Sequence, residues 1–318
     1  VTSALKMLFI RTNTAGYGEE NGVKYLEIET KNTHYPSGKM KIALTNLGAT
    51  NDNNLGDFYQ WGRVGDGYQV IGWAKQTGTS RNNTFDAATD ENRYPGGTTQ
   101  IPSDGSINRE PVGLTLTSSG QVESGNGYGK FIPAGSATYY DWSNKAARNK
   151  RWGNGNTSFS GRTSDIAFSS WTFNGVVSVT NPDGANNNPC PGGWSVPSRW
   201  QWKDMHDGNG SSTTDNNAWS PADDAINDWG TFRAAQHGSF GGAVITNPAG
   251  EKVFLPAAGN RFGEEGSLKG AGSYGLYWSS TSSPSTSAYY LYFTSGYVAT
   301  STNSSYSNGH SVRCVAEF

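Results

Sequence analysis

Apolar and polar positions alternate most clearly near the two ends of the chain. Val23-Lys-Tyr-Leu-Glu-Ile-Glu-Thr30 and Lys39-Met-Lys-Ile-Ala-Leu-Thr45 both carry the period of two that marks strands, separated by turn residues at Pro36-Ser-Gly38. Near the other end, Leu291 and Phe293 alternate with Tyr290, Tyr292 and Thr294, and Val298 lies between Tyr297 and Ala299. Two strands joined at Ser295-Gly296 follow, with Leu, Phe and Val facing inward and a row of Tyr, Thr and Ser facing outward. Further strands are predicted at Trp194–Pro197, Leu276–Ser279 and Ser311–Val315. Ala243–Thr246 and Lys252–Leu255 form a hairpin across a Pro-Ala-Gly turn.

Helical spacing occurs twice. Ser198 is placed to cap a helix through Trp202 and Met205. Ser220 and Pro221 open a second helix, with Ala222, Ala225, Ile226 and Trp229 on one face. Two helices with short antiparallel strands and long ordered loops predict an α+β fold. Residues 1–50 read as an attachment segment or as the first sheet of the main domain. Residues 51–318 form that domain, with inserted loops over about 64–189 and a hairpin region over about 276–310. The loops hold aromatic clusters at Phe58–Trp61, Tyr139–Trp142, Arg151-Trp152 and Trp171, which a disordered tether would lack.

Composition narrows the function. Gly (42), Trp (11) and Tyr (16) are abundant, and charged residues make up only 16%, which suits strands and loops anchored by aromatics. Twenty-four basic residues against 26 acidic ones, without a basic cluster, argue against nucleic acid as a partner. No apolar run is long enough for a membrane span, and the opening Val1–Ile10 does not read as a signal peptide.

Candidate catalytic chemistry is sparse, and no enzyme activity or cofactor is expected. There is no Gly-x-Ser-x-Gly elbow, and His34, His206, His237 and His310 stand alone without metal-ligand spacing. Gly270-Ala-Gly-Ser-Tyr-Gly275 has the dinucleotide spacing but leads into a strand, so no helix N-terminus waits for a pyrophosphate. Asp207-Gly-Asn-Gly-Ser211 spaces oxygens like the start of a calcium loop but lacks its sixth-position Gly and closing Glu. No metal ligand set is therefore assigned. Asp223-Asp224 and Glu264-Glu265 are adjacent in sequence and point apart, as solvated acids do.

The richest signal is compositional. Gly270 to Val312 contains no Asp, Glu, Lys or Arg, and 23 of the 30 residues from Ser279 to Asn308 are Ser, Thr, Tyr or Asn. Antibody loops use that alphabet because Tyr offers large contact area at low entropic cost while Ser, Thr and Asn hydrogen-bond adaptably. A solvent face selected for strand propensity would look similar.

Five fragments then occur in order: Gly56-Asp-Phe-Tyr-Gln-Trp-Gly-Arg63, Asn188-Pro-Cys-Pro-Gly-Gly-Trp-Ser-Val-Pro197, Phe254-Leu-Pro-Ala-Ala-Gly259, Gly275-Leu-Tyr-Trp-Ser-Ser-Thr281 and Gly309-His-Ser-Val-Arg-Cys-Val315. Together they resemble the Fibrobacter-type major paralogous domain, a C-type-lectin-like module, over roughly residues 50–318. The resemblance implies that the first and last strands of the domain pair, and that Cys190 and Cys314 form a disulfide. Formylglycine-generating enzymes have a similar fold with a reactive cysteine pair. Here one cysteine sits in a Pro-Cys-Pro turn and the other in a terminal strand, which reads as a structural pair.

The terminal stretch also resembles the variable region of proteins diversified by retroelements, which rewrite adenines in Asn codons. That resemblance implies ligand-binding, diversified positions at Ser283, Ser285, Thr286, Tyr290, Tyr292, Thr294, Tyr297, Ala299, Ser301, Thr302, Asn303, Ser304 and Tyr306. The expected function is a non-enzymatic adhesin or phage tail-tip receptor-binding protein, at a cell surface, in the extracellular space or on a virion. Its partner would be a protein or glycan receptor, with self-association or particle subunits as further partners. The alternative is a structural subunit of a pilus or phage particle that uses the same face for subunit contacts.

Overall fold

The computed structural model describes residues 16–30, 35, 37–51, 54–71, 116–117, 121–123, 127–132, 142, 152, 187–207, 228–230, 241–263, 266–282, 287–296 and 298–316. Strands dominate these residues. A five-stranded sheet joins β1 (Tyr17–Glu20), β2 (Val23–Glu29), β3 (Lys39–Ala43), β15 (Val315–Ala316) and β5 (Trp194–Ser195), in that order. A four-stranded sheet runs β10 (Leu268–Lys269), β9 (Asn260–Arg261), β14 (Gly309–His310) and β4 (Tyr59–Gln60). Two three-stranded sheets complete the set. One is β6 (Asp228–Gly230), β7 (Gly242–Thr246) and β8 (Lys252–Pro256); the other is β11 (Tyr274–Ser282), β12 (Ser287–Thr294) and β13 (Val298–Ser305).

The α+β expectation is overturned: among the described residues there is a single helix, α1 (Arg199–Asp207), and the architecture is mostly β. The start of α1 follows its local signal. Ser198 Oγ accepts the Gln201 amide (3.1 Å), and Gln201 Oε1 accepts the Ser198 amide (2.6 Å), a reciprocal capping box. The second predicted helix fails where it can be seen. Residues 220–227 lie outside the described residues, but Asp228-Trp229-Gly230 is a strand in register with Thr246-Ile245-Val244. Pairing with a strand distant in sequence prevails over capping and helical spacing at its end.

The N-terminal hairpin belongs to the five-stranded sheet. Tyr25–Glu29 pairs with Lys39–Ala43, and Ile42 of β3 pairs with Val315 of β15. On the other side of β15, Val315 pairs with Ser195. Cys190 and Cys314 are joined in a disulfide with their Cα atoms 6.0 Å apart, closing a loop with a sequence separation of 124. Such a loop contributes about 4–5 kcal/mol on the chain-entropy account.

Two buried clusters meet at β11–β12–β13. One gathers Leu26, Ile28, Met40 and Ile42 with Trp202 and Met205 of α1, and with Tyr277, Leu291, Phe293 and Val298. The other gathers Trp61, Trp142, Trp152, Trp194, Trp278, Ala288 and Tyr306. Four indole N–H groups in this part of the molecule are spent on backbone carbonyls, which ties remote segments together. Trp278 donates to Tyr59 (2.6 Å), Trp61 to Ser279 (2.8 Å), Trp142 to Trp61 (2.8 Å) and Trp202 to Trp278 (3.1 Å). Each is a buried polar group satisfied across a long sequence distance. Trp142 and Trp152, from the inserted region, are core residues.

Candidate functional site

The site is the face of β11–β12–β13 turned away from α1. Strand register defines it. Tyr274 pairs with Thr294, Leu276 with Tyr292 and Trp278 with Tyr290 on one side of β12. On the other side, Tyr292 pairs with Ala299, Tyr290 with Thr302 and Ala288 with Ser304. These residues share one face, while Tyr277, Leu291, Phe293 and Val298 share the other and are fully buried. The predicted division of β12 is therefore present, with Tyr290, Tyr292 and Thr294 half-buried.

The tyrosines form a ladder. The Tyr274 and Tyr292 rings lie 5.9 Å apart, Tyr292 and Tyr290 6.1 Å apart, and Tyr290 meets Trp278 edge-on at 6.3 Å. Burial increases along it: Tyr274, Tyr292 and Tyr290 keep part of their surface, but Trp278 has none. His310 closes the inner end, 4.1 Å from the Trp278 ring and 5.2 Å from that of Tyr290. It is fully buried and neither ring nitrogen has a hydrogen-bond partner among the described residues. Burial pushes its pKa down to about 3, so the ring is neutral at ordinary pH. Burial likewise raises the pKa of the Tyr274 phenol, with Tyr290 adding to the effect.

β13 departs from simple alternation. Two steps along β12, from Tyr290 to Tyr292, correspond to three along β13, from Thr302 to Ala299, so β13 carries a bulge. Thr302 and Ser304 consequently share the Tyr290 face. Asn303 pairs with Tyr289 on the opposite face, where it is exposed. The other face has its own polar contact: the Arg199 guanidinium of α1 lies 4.2 Å over the Tyr289 ring.

Two predicted contact residues are corrected. Ala299 is 4% exposed, packed in the sheet opposite Tyr292. Tyr306 is 1% exposed and stacks on Trp61 with ring centres 4.5 Å apart and an interplanar angle of 15°. It is a core residue. Ser283, Ser285, Thr286 and Tyr297 lie outside the described residues, and of Ser301 only the backbone, within β13, is described. The calcium-like segment also lies outside them beyond Asp207. Among the described residues no three His, Cys, Asp or Glu side chains cluster as a metal site.

Tyr274, Trp278 and His310 are not among the contact positions expected from the sequence. For the first two a signal existed, since Tyr274, Leu276 and Trp278 keep the period of two that also marks β12. His310 had none, because its place depends on β14 pairing with β4 some 250 residues earlier (His310 opposite Tyr59).

A family model described as a domain of unknown function (DUF8237) matches residues 245–315, the stretch from β7 to the start of β15 that contains the whole tyrosine sheet. No curated protein matches the chain. No solved structure matches it.

Proposed function

We propose that this chain is a non-enzymatic binding protein, a receptor-binding or adhesive component at a cell surface or on a virion. Its contact surface is the tyrosine face of β11–β12–β13. The observation that carries this reading is the half-exposed ladder Tyr274–Tyr292–Tyr290, flanked by Thr294, Thr302 and Ser304 on a sheet whose reverse side is packed core. Rigid aromatics on a fixed platform lose little entropy when they meet a partner, and such residues dominate contact energetics. The resemblance of this stretch to retroelement-diversified regions supports the same reading, with Tyr290, Tyr292, Thr294, Thr302 and Ser304 as the varied positions on the face.

The charge pattern narrows the partner's chemistry. With no ionisable carboxylate, Lys or Arg between Gly270 and Val312, recognition rests on stacking and neutral hydrogen bonds. A protein or glycan surface of low charge fits it, and its binding should change by less than about twofold between low and high salt. The test is binding of the labelled protein to a panel of cells and to a glycan array, compared with the Tyr274→Ala/Tyr292→Ala variant. Loss of the wild-type signal in the variant supports the reading; equal signals refute it.

A second reading, a subunit using this surface for assembly, draws on β13, which pairs only with β12 among the described residues. An open strand edge favours subunit contacts. Sedimentation distinguishes the two, since an assembling subunit forms larger species that the same variant disperses.

A further inference from the structure

A second recessed surface lies on the five-stranded sheet's side of the molecule. It is a cavity of about 660 Å³ between the N-terminal hairpin, the segment following β3 and the start of β8. That volume suits a ligand of one or two sugar rings. Lys24 and Lys252 are the charged residues in its lining, which contains no Asp or Glu. Three carboxylates adjoin the lining without belonging to it. Glu251 accepts from Asn247 Nδ2 (2.9 Å), and Glu19 is the register partner of Lys24 on β1. Asp57 lies behind Gly48, where burial raises its pKa to about 6.

The wall behind the cavity adds to the positive field. The buried Arg313 guanidinium donates to the carbonyls of Ala43 and Phe254 (2.9 Å each) and to Asn46 Oδ1 (3.0 Å from Nε), and all three acceptors belong to lining residues. The uncharged part of the lining is equally specific. Tyr17, 37% exposed, is fixed because its hydroxyl donates to the Lys252 carbonyl and accepts the Lys252 amide, both at 2.8 Å. An aromatic ring held at the margin of a pocket is a platform for the apolar face of a sugar. Thr45 and Thr50 also line the cavity.

From this combination we propose that the cavity binds a small acidic saccharide. The carboxylate lies between Lys24 and Lys252, and a ring face rests against Tyr17. A neutral sugar leaves two ammonium groups unused, and a simple inorganic anion leaves the aromatic ring and most of the volume unused. The site is separate from the tyrosine face and does not depend on that face binding anything.

Calorimetric titration of the full chain with N-acetylneuraminic acid and with glucuronic acid tests the assignment. The methyl ester of whichever acid binds and N-acetylglucosamine serve as uncharged controls. At least one acid should bind saturably, with the ester about tenfold weaker because the charge-assisted contacts are lost. Lys24→Ala and Lys252→Ala should each weaken binding about fivefold, and Tyr292→Ala should leave it unchanged. The lysines are exposed, so these variants retain the fold, which thermal denaturation verifies. The proposal is overturned if neither acid binds at about 10 mM, if acid and ester bind equally, or if the double lysine variant binds like wild type.

Discussion

The two faces of β11–β12–β13 are made by the same strands and obey different rules. Toward α1, Tyr277, Leu291, Phe293 and Val298 are fully buried, and each must fit its neighbours. Away from α1, Tyr274, Tyr292 and Thr294 keep part of their surface, with the Tyr274 and Tyr292 rings 5.9 Å apart. Alternation assigns one task to each side, so stability and recognition can vary separately. The separation is graded along the strands. At the Trp278 end the outer face is itself roofed by the second cluster, and Tyr290 stands on the boundary.

The strongest way to break this comparison is to hollow the buried side. Phe293→Ala should cost about 3–5 kcal/mol, and Tyr306→Ala, which removes the stack on Trp61, a similar amount. Chemical denaturation midpoints measure both. If Tyr306→Ala were silent, its assignment to the core rather than to the contact face would fail.

Acid sharpens the boundary between the two ends. The folded pKa of His310, about 3, lies below its unfolded value near 6.5. Folding therefore disfavours the proton, and stability falls as pH drops below about 6.5, by roughly 3 kcal/mol at pH 4. Asp57 acts in the opposite direction. Its carboxyl is raised to about 6, so its burial opposes folding at neutral pH and that penalty is relieved as the pH falls. The difference between wild type and His310→Phe isolates the histidine, because Asp57 is common to both. A parallel pH dependence in the two proteins would place His310 in contact with solvent.

A smaller effect is expected at the bulge. Ala299→Tyr places a large side chain at a packed position opposite Tyr292 and should cost about 1–3 kcal/mol. The same replacement at Thr302 adds a ring to the open part of the face and should cost less. Equal costs would mean that Ala299 belongs with the contact residues after all.

How much of this was legible in the sequence depends on how local the determinant is. The Ser198 cap, the β7–β8 hairpin and the alternation of Leu291 and Phe293 involve residues within a few positions of each other, and the structure contains them. The β13 bulge has no sequence mark, and it exchanges the faces that strict alternation from Val298 assigns to Thr302 and Asn303. Tyr306 reads as one more tyrosine of the contact set until Trp61, 245 positions earlier, is seen to stack on it. Trp229 sits on a well-capped helical pattern, yet its strand is set by Ile245. Each miss is a long-range contact prevailing over a local preference.

The central claim is that the outer tyrosines serve recognition and not folding. Paired measurement on the Tyr274→Ala/Tyr292→Ala variant tests it most directly, by taking denaturation free energy and cell-surface or glycan binding from one preparation. The account predicts a stability loss below about 1 kcal/mol per residue together with a loss of binding of tenfold or more. Undiminished binding, or unfolding of the variant, would contradict it.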